Sequence, residues 1–402
     1  MNVNVVIAGH VDHGKSTLIG RLLYDSDSIL DGRLEEIQKL AEEYKRKFEF
    51  AYFLDAFDDE VKESRTIDTT GVMFKGKNLY TITDVPGHKE FIKNMLTGAS
   101  HADIAVLMVA ADEGIREQTR RHAFLIRLIG IKHFFVIVNK LDMVDYSKDA
   151  FEKIKAKVEE MLSSFGYMDV QFIPASAMEG DNIYNPSQNM DWYEGPTLIE
   201  TLDSVELEKE NLPTRFIVQD IYDVGGEKIT VGRVESGALD VGDTVVFQPS
   251  NIKTKIAKIS NYQEDLTHAE KGDSIGFSVE PLPQRGDVCG VESNPPVAVT
   301  KFLGETVLLE DKISLNDKIE LRCGTKRVQC KILEIREKID TQTGEPLENN
   351  PDSISQHESA TILFETDEPI VVERFSEIPP LGRFILVKGR NIAAGVVLEV
   401  MK

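Results

Sequence analysis

The loop GHVDHGKST, residues 9–17, constrains this chain more than any other stretch of its sequence. It follows the apolar run Val3–Ala8 and precedes the helix-like stretch LIGRLL. Its spacing fits G-x-x-x-x-G-K-[ST], in which a strand passes through a glycine-rich loop into a helix. Glycine permits the turn, and the loop's N–H groups with the helix N-terminus form a nest for anionic oxygens. The loop therefore predicts a phosphate-binding site in an α/β domain.

Two side chains of the loop have specific tasks in such a site. Lys15 is expected to reach the terminal phosphates of a nucleotide, and Ser16 to give an oxygen to Mg²⁺. The imidazoles of His10 and His13 are expected to point away from phosphates that the backbone contacts. The loop residues predicted to bind the nucleotide are Val11, Asp12, His13, Gly14, Lys15, Ser16 and Thr17.

A second motif, DVPGH, follows the predicted strand Tyr80–Thr83. An aspartate at a strand end can hold a water on Mg²⁺, so Asp84 is a predicted metal ligand. Gly87 allows a backbone N–H to approach the γ-phosphate and is a predicted nucleotide-binding residue.

Two further motifs predict which base is bound. Asn139, Lys140 and Asp142 follow the predicted strand Phe134–Val138, and the Asp142 carboxylate can accept hydrogen bonds from guanine N1–H and the N2 amine. Adenine lacks that donor pair and would leave the carboxylate unpaired. The turn Ser176, Ala177 and Met178 can bring a backbone N–H to the guanine O6. Four motifs in this order, each at a strand end, predict a guanine nucleotide, GTP or GDP, with Mg²⁺.

The order of strand-like and helix-like segments along the chain predicts three domains. Up to about residue 210, strand-like runs alternate with amphipathic helical stretches, which is typical of a mainly parallel sheet with helices on both faces. After that point short strands with Gly and Asp between them indicate β-barrels. The predicted fold class is multidomain, α/β followed by all-β. The predicted domains are a P-loop GTPase domain at 1–211 and β-barrels at 212–300 and 301–402.

Charge and cysteine usage narrow the possible functions. The net charge of −22 argues against a nucleic-acid binder held mainly by bulk charge. The spacing of Cys289, Cys323 and Cys330 fits no zinc pattern. No basic-then-apolar leader and no apolar run of about 18 residues is present, so we predict a cytoplasmic protein without membrane contact.

The quoted motifs resemble the translation-factor class of P-loop GTPases, the class of elongation factor Tu. The resemblance spans the chain, since that class has a GTPase domain followed by two β-barrels. It implies that His88 is the catalytic residue that orients the attacking water. It also implies that Thr66, in the stretch Glu63–Asp68, binds Mg²⁺.

The stretch around Thr66 departs from that class, whose pattern is closer to R-G-I-T-I-D. Ser64 and Arg65 stand where glycine and isoleucine are expected. The class uses that isoleucine, with the residue matching Val11, to gate the histidine. Arg65 is either a solvated charge, the interpretation we favour, or a self-supplied arginine finger.

The sequence also bears on the process that GTP hydrolysis serves, and it favours a subunit of a larger enzyme. Several stretches resemble the GTPase subunit of the heterodimeric ATP sulfurylase (sulfate adenylyltransferase). They include STLIGRLLYDSDSI (Ser16–Ile29), EQTRRHAFLIRLIGIKH (Glu117–His133), GRVESGALDVGDTVVFQPS (Gly232–Ser250) and ERFSEIPPLGRFILV (Glu373–Val387). The resemblance implies that GTP hydrolysis here drives a partner catalytic subunit that makes adenosine 5′-phosphosulfate from ATP and sulfate.

The alternative is a carrier that delivers aminoacyl-tRNA to the ribosome. The loop with His13, the stretch Asp84–Asp103 and the closing PLGRF are equally similar to elongation factor Tu and its archaeal and eukaryotic counterparts. A tRNA carrier must touch phosphates, yet residues 301–402 hold 14 Lys and Arg against 18 Asp and Glu. We therefore prefer the sulfurylase interpretation and keep the carrier as the alternative.

Overall fold

A computed structural model describes residues 2–28, 50, 71–83, 102–207, 212–261, 264–341 and 345–401. The chain divides into two compact units, Met1–Leu207 with Thr341–Gly344, and Glu208–Asp340 with Glu345–Lys402. The first unit is an α/β domain and the second is built of strands.

The α/β unit is organised around a six-stranded sheet. Its strands are β1 (Asn2–Gly9), β2 (Gly71–Lys75), β3 (Leu79–Thr83), β4 (Ile104–Ala110), β5 (His133–Asn139) and β6 (Gln171–Pro174). They lie in the order β2-β3-β1-β4-β5-β6, and all neighbours are parallel except β2 and β3. The strands predicted at Val3–Ala8, Tyr80–Thr83 and Phe134–Val138 are thus confirmed as β1, β3 and β5. Because the parallel strands end at one edge, the residues after β1, β4, β5 and β6 meet there.

Four α-helices are described in this unit. They are α1 (Lys15–Asp25), α2 (Glu117–Ile129), α3 (Lys148–Ser164) and α4 (Leu198–Ser204). Apolar side chains such as Leu18, Leu22 and Leu198 pack against β1 and β3 in one buried core. α4 begins with a capping box, in which Thr197 accepts from the Glu200 N–H at 3.3 Å and Glu200 accepts from the Thr197 N–H at 2.8 Å. These local signals explain why helices alternate with the strands.

The second unit contains two β-barrels, as predicted. The strands of the first are β7 (Arg215–Val224), β8 (Glu227–Ser236), β9 (Ala238–Asp240), β10 (Thr244–Gln248), β11 (Ile252–Lys255), β12 (Lys258–Ser260), β13 (Asp265–Leu266), β14 (His268–Glu270), β15 (Ser274–Ser278) and β16 (Val288–Val291). Those of the second are β17 (Ala298–Leu308), β18 (Lys312–Ser314), β19 (Lys318–Cys323), β20 (Lys326–Asp340), β21 (Pro346–Asn349), β22 (Ser353–Ser355), β23 (Glu358–Val371), β24 (Arg383–Val387) and β25 (Asn391–Met401). Pairing of β19 with β20 closes the second barrel. The boundaries at 211/212 and 300/301 stay predictions.

Each barrel has its own aromatic core. The rings of Phe216 and Phe277 lie 4.6 Å apart in the first barrel, and those of Phe302 and Phe364 lie 5.1 Å apart in the second. An ion pair joins the two barrels, with Nε of the buried Arg215 2.9 Å from a carboxylate oxygen of the half-buried Glu373. Arg215 also donates to the carbonyl oxygens of Thr214 and Asn294, so its buried charge has several partners.

Three kinds of feature can be assessed in the described residues: disulfides, metal-binding groups and membrane-spanning helices. All three cysteines are buried and free, and burial raises the pKa of each thiol. Within the described ranges, no group of three or more His, Cys, Asp or Glu could hold a metal ion. No helix in the part of the chain that the structure describes is long and apolar enough to cross a membrane.

Candidate nucleotide-binding site

The phosphate loop connects β1 to α1 through a short 3-10 helix at Val11–His13. Gly14 has a left-handed φ of +88°, and a Cβ there would lie 2.5 Å from the side-chain nitrogen of Asn139. A Cβ on Gly9 would lie 2.6 Å from the carbonyl oxygen of Met108. Both glycines are therefore required by neighbouring atoms as well as by the turn.

Lys15 folds back over this loop. Its ammonium donates to the carbonyl oxygens of Gly9 at 3.0 Å and His10 at 2.8 Å. Both acceptors belong to the loop itself, so the positive charge lies against the segment predicted to wrap the phosphates. Ser16 and Thr17 follow in the first turn of α1, where backbone N–H groups have no partner within the helix.

His13 is fully buried and supports the loop from beneath. Its Nδ1 donates to the carbonyl oxygen of Met108, at 2.9 Å, on the neighbouring strand β4. Burial is the main cause that lowers the pKa of His13. The hydrogen bond to the Met108 carbonyl opposes it in part, and the neighbouring His10 and Lys15 lower the pKa further. The imidazole is therefore neutral with its hydrogen on Nδ1. Sequence reasoning did not find this supporting role, because the pairing of β1 with β4 is what brings Met108 to the loop.

The lowered pKa of His13 predicts an acid sensitivity of the α/β unit. Below pH about 6.5, His13 becomes protonated in the unfolded chain but stays neutral in the folded chain. The free energy of unfolding therefore falls as the pH is lowered, until the pH reaches the lower pKa that His13 has in the folded chain. The loss is at most about 1.4 kcal/mol per pH unit within that window. We expect the melting temperature to drop between pH 7.5 and 5.5 by more in the wild type than in His13→Gln. His133→Gln, a change on β5 of the same unit, is the control and should keep the wild-type drop; equal drops in all three proteins would contradict the assignment.

Asn139 ties the phosphate loop to the base motifs. Its side-chain nitrogen donates to the carbonyl oxygen of His13 at 2.9 Å, and its side-chain oxygen accepts from the N–H of Ala177 at 2.9 Å. The residue is 2% exposed. A single amide thus fixes the spacing between the loop after β1 and the turn after β6.

Asp142 and Ser176 form the second link of the base site. The Ser176 hydroxyl donates to an Asp142 carboxylate oxygen at 2.6 Å, and the Glu179 N–H donates to the same hydroxyl at 3.2 Å. The carboxylate is therefore oriented by the turn and keeps further acceptor capacity. A carboxylate held in this way can accept hydrogen bonds from a pair of neighbouring donors.

Lys140 has charged neighbours that sequence reasoning missed. Its ammonium lies 3.7 Å from the carboxylates of Asp112 and Glu113, which follow the buried strand β4. All three side chains are partly exposed, so the pairs contribute little to stability. Their effect is to hold the lysine stem beside the strand ends. The signal in the sequence was an acidic pair directly after a strand.

The structure brings together the predicted residues that it describes. The loop residues Val11 to Thr17 and the residues Asn139, Lys140, Asp142, Ser176, Ala177 and Met178 lie after β1, β5 and β6, at one edge of the sheet. The glycine cradle and the Asp142 carboxylate fit the triphosphate and base of GTP. Thr66, Arg65, Asp84, Gly87 and His88 lie outside the described residues.

Three family comparisons cover most of the chain. The family described as "Elongation factor Tu GTP binding domain" matches residues 1–208. "Elongation factor Tu domain 2" matches residues 227–282, and "GTP-eEF1A C-terminal domain-like" matches residues 304–398. The matches follow the α/β unit and the two barrels in order.

Curated relatives match over the full length. Elongation factor 1-alpha of Pyrococcus horikoshii is 43% identical, over 100% of this chain and 98% of that protein. Elongation factor 1-alpha of Methanocaldococcus jannaschii is 41% identical, over 99% and 97%. Among solved structures, Sup35 complexed with GMPPNP is 27% identical, covers 100% of this chain and 94% of that chain, and has a TM-score of 0.47.

These relatives correct the preferred interpretation of the sequence. The chain is similar over its full length to elongation factor 1-alpha at about 41–43% identity, so the preference for the ATP sulfurylase subunit, with a sulfate adenylyltransferase partner, is wrong. That preference depended on separate stretches of sequence and on the acidic balance of residues 301–402. An acidic average over a domain leaves room for a local basic patch, so it does not exclude a carrier of tRNA. His13 was the loop residue that pointed to elongation factors.

Proposed function

We propose a function from one premise: the chain belongs to the elongation factor Tu family of translation-factor GTPases. As a member, it is a GTPase that binds GTP or GDP with Mg²⁺. We propose that its GTP form carries aminoacyl-tRNA to the ribosome. The observation that carries this proposal is the full-length similarity to elongation factor 1-alpha, which includes both barrels.

The contacts at the sheet edge support separate roles for two groups of residues in the proposed site, one binding the base and the other the phosphates. Asp142, held by the Ser176 hydroxyl, reads the guanine edge. Lys15 and the loop amides hold the phosphates, as expected at a helix N-terminus preceded by a glycine-rich loop. Gly87 would add a backbone N–H toward the γ-phosphate.

Metal and water are assigned to other residues of the proposed site. Ser16, Thr66 and Asp84 would hold Mg²⁺, which neutralises charge on the phosphates when it is bound. His88 is proposed to orient the attacking water.

The carrier function is tested by protection of the aminoacyl ester. We expect the purified chain with a non-hydrolysable GTP analogue to slow spontaneous deacylation of aminoacyl-tRNA at least about tenfold, whereas the GDP form has little effect. Binding to tRNA phosphates should weaken as salt rises. The rate is measured from acid-precipitable label over time.

Two controls separate the carrier function from nucleotide binding. Deacylated tRNA should not compete at equal concentration. Asp142→Asn should protect the ester with a non-hydrolysable XTP analogue and lose most protection with the GTP analogue. A wild-type chain that binds the GTP analogue fully and still leaves deacylation unchanged would overturn the proposal.

A further inference from the structure

Arg21 lies where the helix that follows the phosphate loop meets the turn of the base motif. It is on α1, and its side chain is 18% exposed. Its Nε donates to a carboxylate oxygen of Asp25 at 2.8 Å, one helical turn further on. A terminal nitrogen points to the carbonyl oxygen of Met178 at 3.4 Å. The guanidinium thus reaches from helix α1 to the turn that follows β6.

Gly180 provides the surface on which the guanidinium lies. It has a left-handed φ of +86°, and a Cβ there would lie 2.3 Å from one terminal nitrogen of Arg21 and 2.4 Å from Cζ. Any side chain at this position would displace the guanidinium. Cζ also lies 5.0 Å from the ring centre of Phe50 and 5.7 Å from that of Tyr24. Contacts of this kind with aromatic rings favour the planar arginine group over the point charge of a lysine.

The turn that Arg21 touches is the one that holds Ser176. The Gly180 N–H donates to the Ser176 carbonyl at 2.8 Å, and the Ser176 N–H donates to the Asp181 carbonyl at 3.2 Å. The Ser176 hydroxyl in turn orients the Asp142 carboxylate. A shift of Gly180 therefore moves the group that positions Asp142.

The far side of the turn is anchored independently of Arg21. The side-chain nitrogen of Asn182 donates to the Pro174 carbonyl at 2.9 Å, and its side-chain oxygen accepts from the Ser187 N–H at 2.8 Å. Loss of Arg21 would therefore release the side of the turn near Gly180 without unfolding the whole segment.

We propose that Arg21 is a positioning residue for guanine recognition. It holds the turn 176–180 against α1, so that the helix beginning at the phosphate loop and the turn orienting Asp142 keep a fixed spacing. This inference rests on the proposed base site at Asp142. A residue serving only the helix would instead act through its ion pair with Asp25.

The test compares affinity for GDP and for IDP, whose base lacks the exocyclic 2-amine of guanine. Arg21→Ala is expected to lower the wild-type preference for GDP over IDP by roughly three- to tenfold, since the amine loses a well-placed carboxylate. Arg21→Lys keeps the charge without the planar group and should fall between. Asp25→Asn, which removes the ion pair and leaves the guanidinium on Gly180, should keep the wild-type ratio. Because the ratio is taken on the folded, nucleotide-binding fraction, a loss of stability alone does not change it.

A double-mutant cycle provides the second measurement. Gly180→Ala is expected to lower the GDP-to-IDP preference in the wild type and to have a smaller effect in the Arg21→Ala background, because the displaced group is then absent. An unchanged ratio in Arg21→Ala, or additive effects in the cycle, would overturn the role of Arg21. Failure of the base site itself has a different signature, a wild-type chain that does not prefer GDP to IDP.

Discussion

Asp142→Asn is expected to change the preferred nucleotide from GTP to XTP. The carboxylate can accept from both guanine donors, N1–H and the 2-amine, whereas an asparagine amide has one acceptor and one donor. Its NH₂ would meet a donor on guanine and a carbonyl on xanthine. A site built to pair a polar edge rejects a base that leaves those groups unpaired.

The expected effect is large, and the fold should survive it. Affinity for GDP should fall by roughly 10²- to 10⁴-fold while affinity for XDP rises, as measured by calorimetric titration of nucleotide-free protein. The Ser176 hydroxyl, now 2.6 Å from an Asp142 oxygen, would still find an amide oxygen to donate to. Asp145→Asn is the matched control, an exposed carboxylate three residues further on whose left-handed φ of +54° asparagine tolerates. Unchanged GDP affinity in Asp142→Asn would remove Asp142 from the base site.

The sequence predicted the site where strand order alone sets the neighbours. Asn139 and Asp142 follow one buried strand and Ser176 follows the next, and parallel strands carry their ends to one edge. The alternation of buried strands and amphipathic helices predicted that sheet, and the short strands between Gly and Asp predicted the barrels. The local hydrophobic pattern agrees with the observed fold here, so the sequence was sufficient to predict which residues meet at this edge of the sheet.

The supporting contacts could not be predicted because they depend on register and packing. His13 reaches the Met108 carbonyl only because β1 pairs with β4 so that Gly9 faces Met108. Arg21 meets Gly180 only because α1 packs beside the turn after β6. Each contact joins residues about a hundred or more positions apart, which no local spacing reveals.

The biological task could not be read from the site for a different reason. The strand-end residues are proposed to bind a nucleotide that many GTPases share, and the chemistry proposed for Lys15 or Asp142 would be the same in each of them. Similarity judged on separate stretches favoured a sulfate-activating subunit, whereas full-length identity of 43% favours elongation factor 1-alpha.

Asn139→Ala is expected to have the other large effect, because one amide serves two loops. Truncation leaves the His13 carbonyl and the Ala177 N–H without their partner in a region where Asn139 is 2% exposed. Each unpaired buried group costs about 1–3 kcal/mol, so GDP affinity should fall by roughly 10²- to 10³-fold and the melting temperature should drop as well.

Asn139→Asp separates the two halves of that effect. Aspartate keeps the oxygen that accepts from Ala177 and places a second oxygen against the His13 carbonyl, so the link to the phosphate loop is lost while the link to the base turn remains. We expect Asn139→Asp to weaken binding of the nucleotide phosphates while keeping the preference for GDP over IDP, and Asn139→Ala to lower both. Calorimetric titrations with GDP and IDP, alongside thermal unfolding, give the two quantities. If both variants bound GDP as the wild type does, the spacing between phosphate loop and base turn would not depend on this side chain, and the bridge would be structural only.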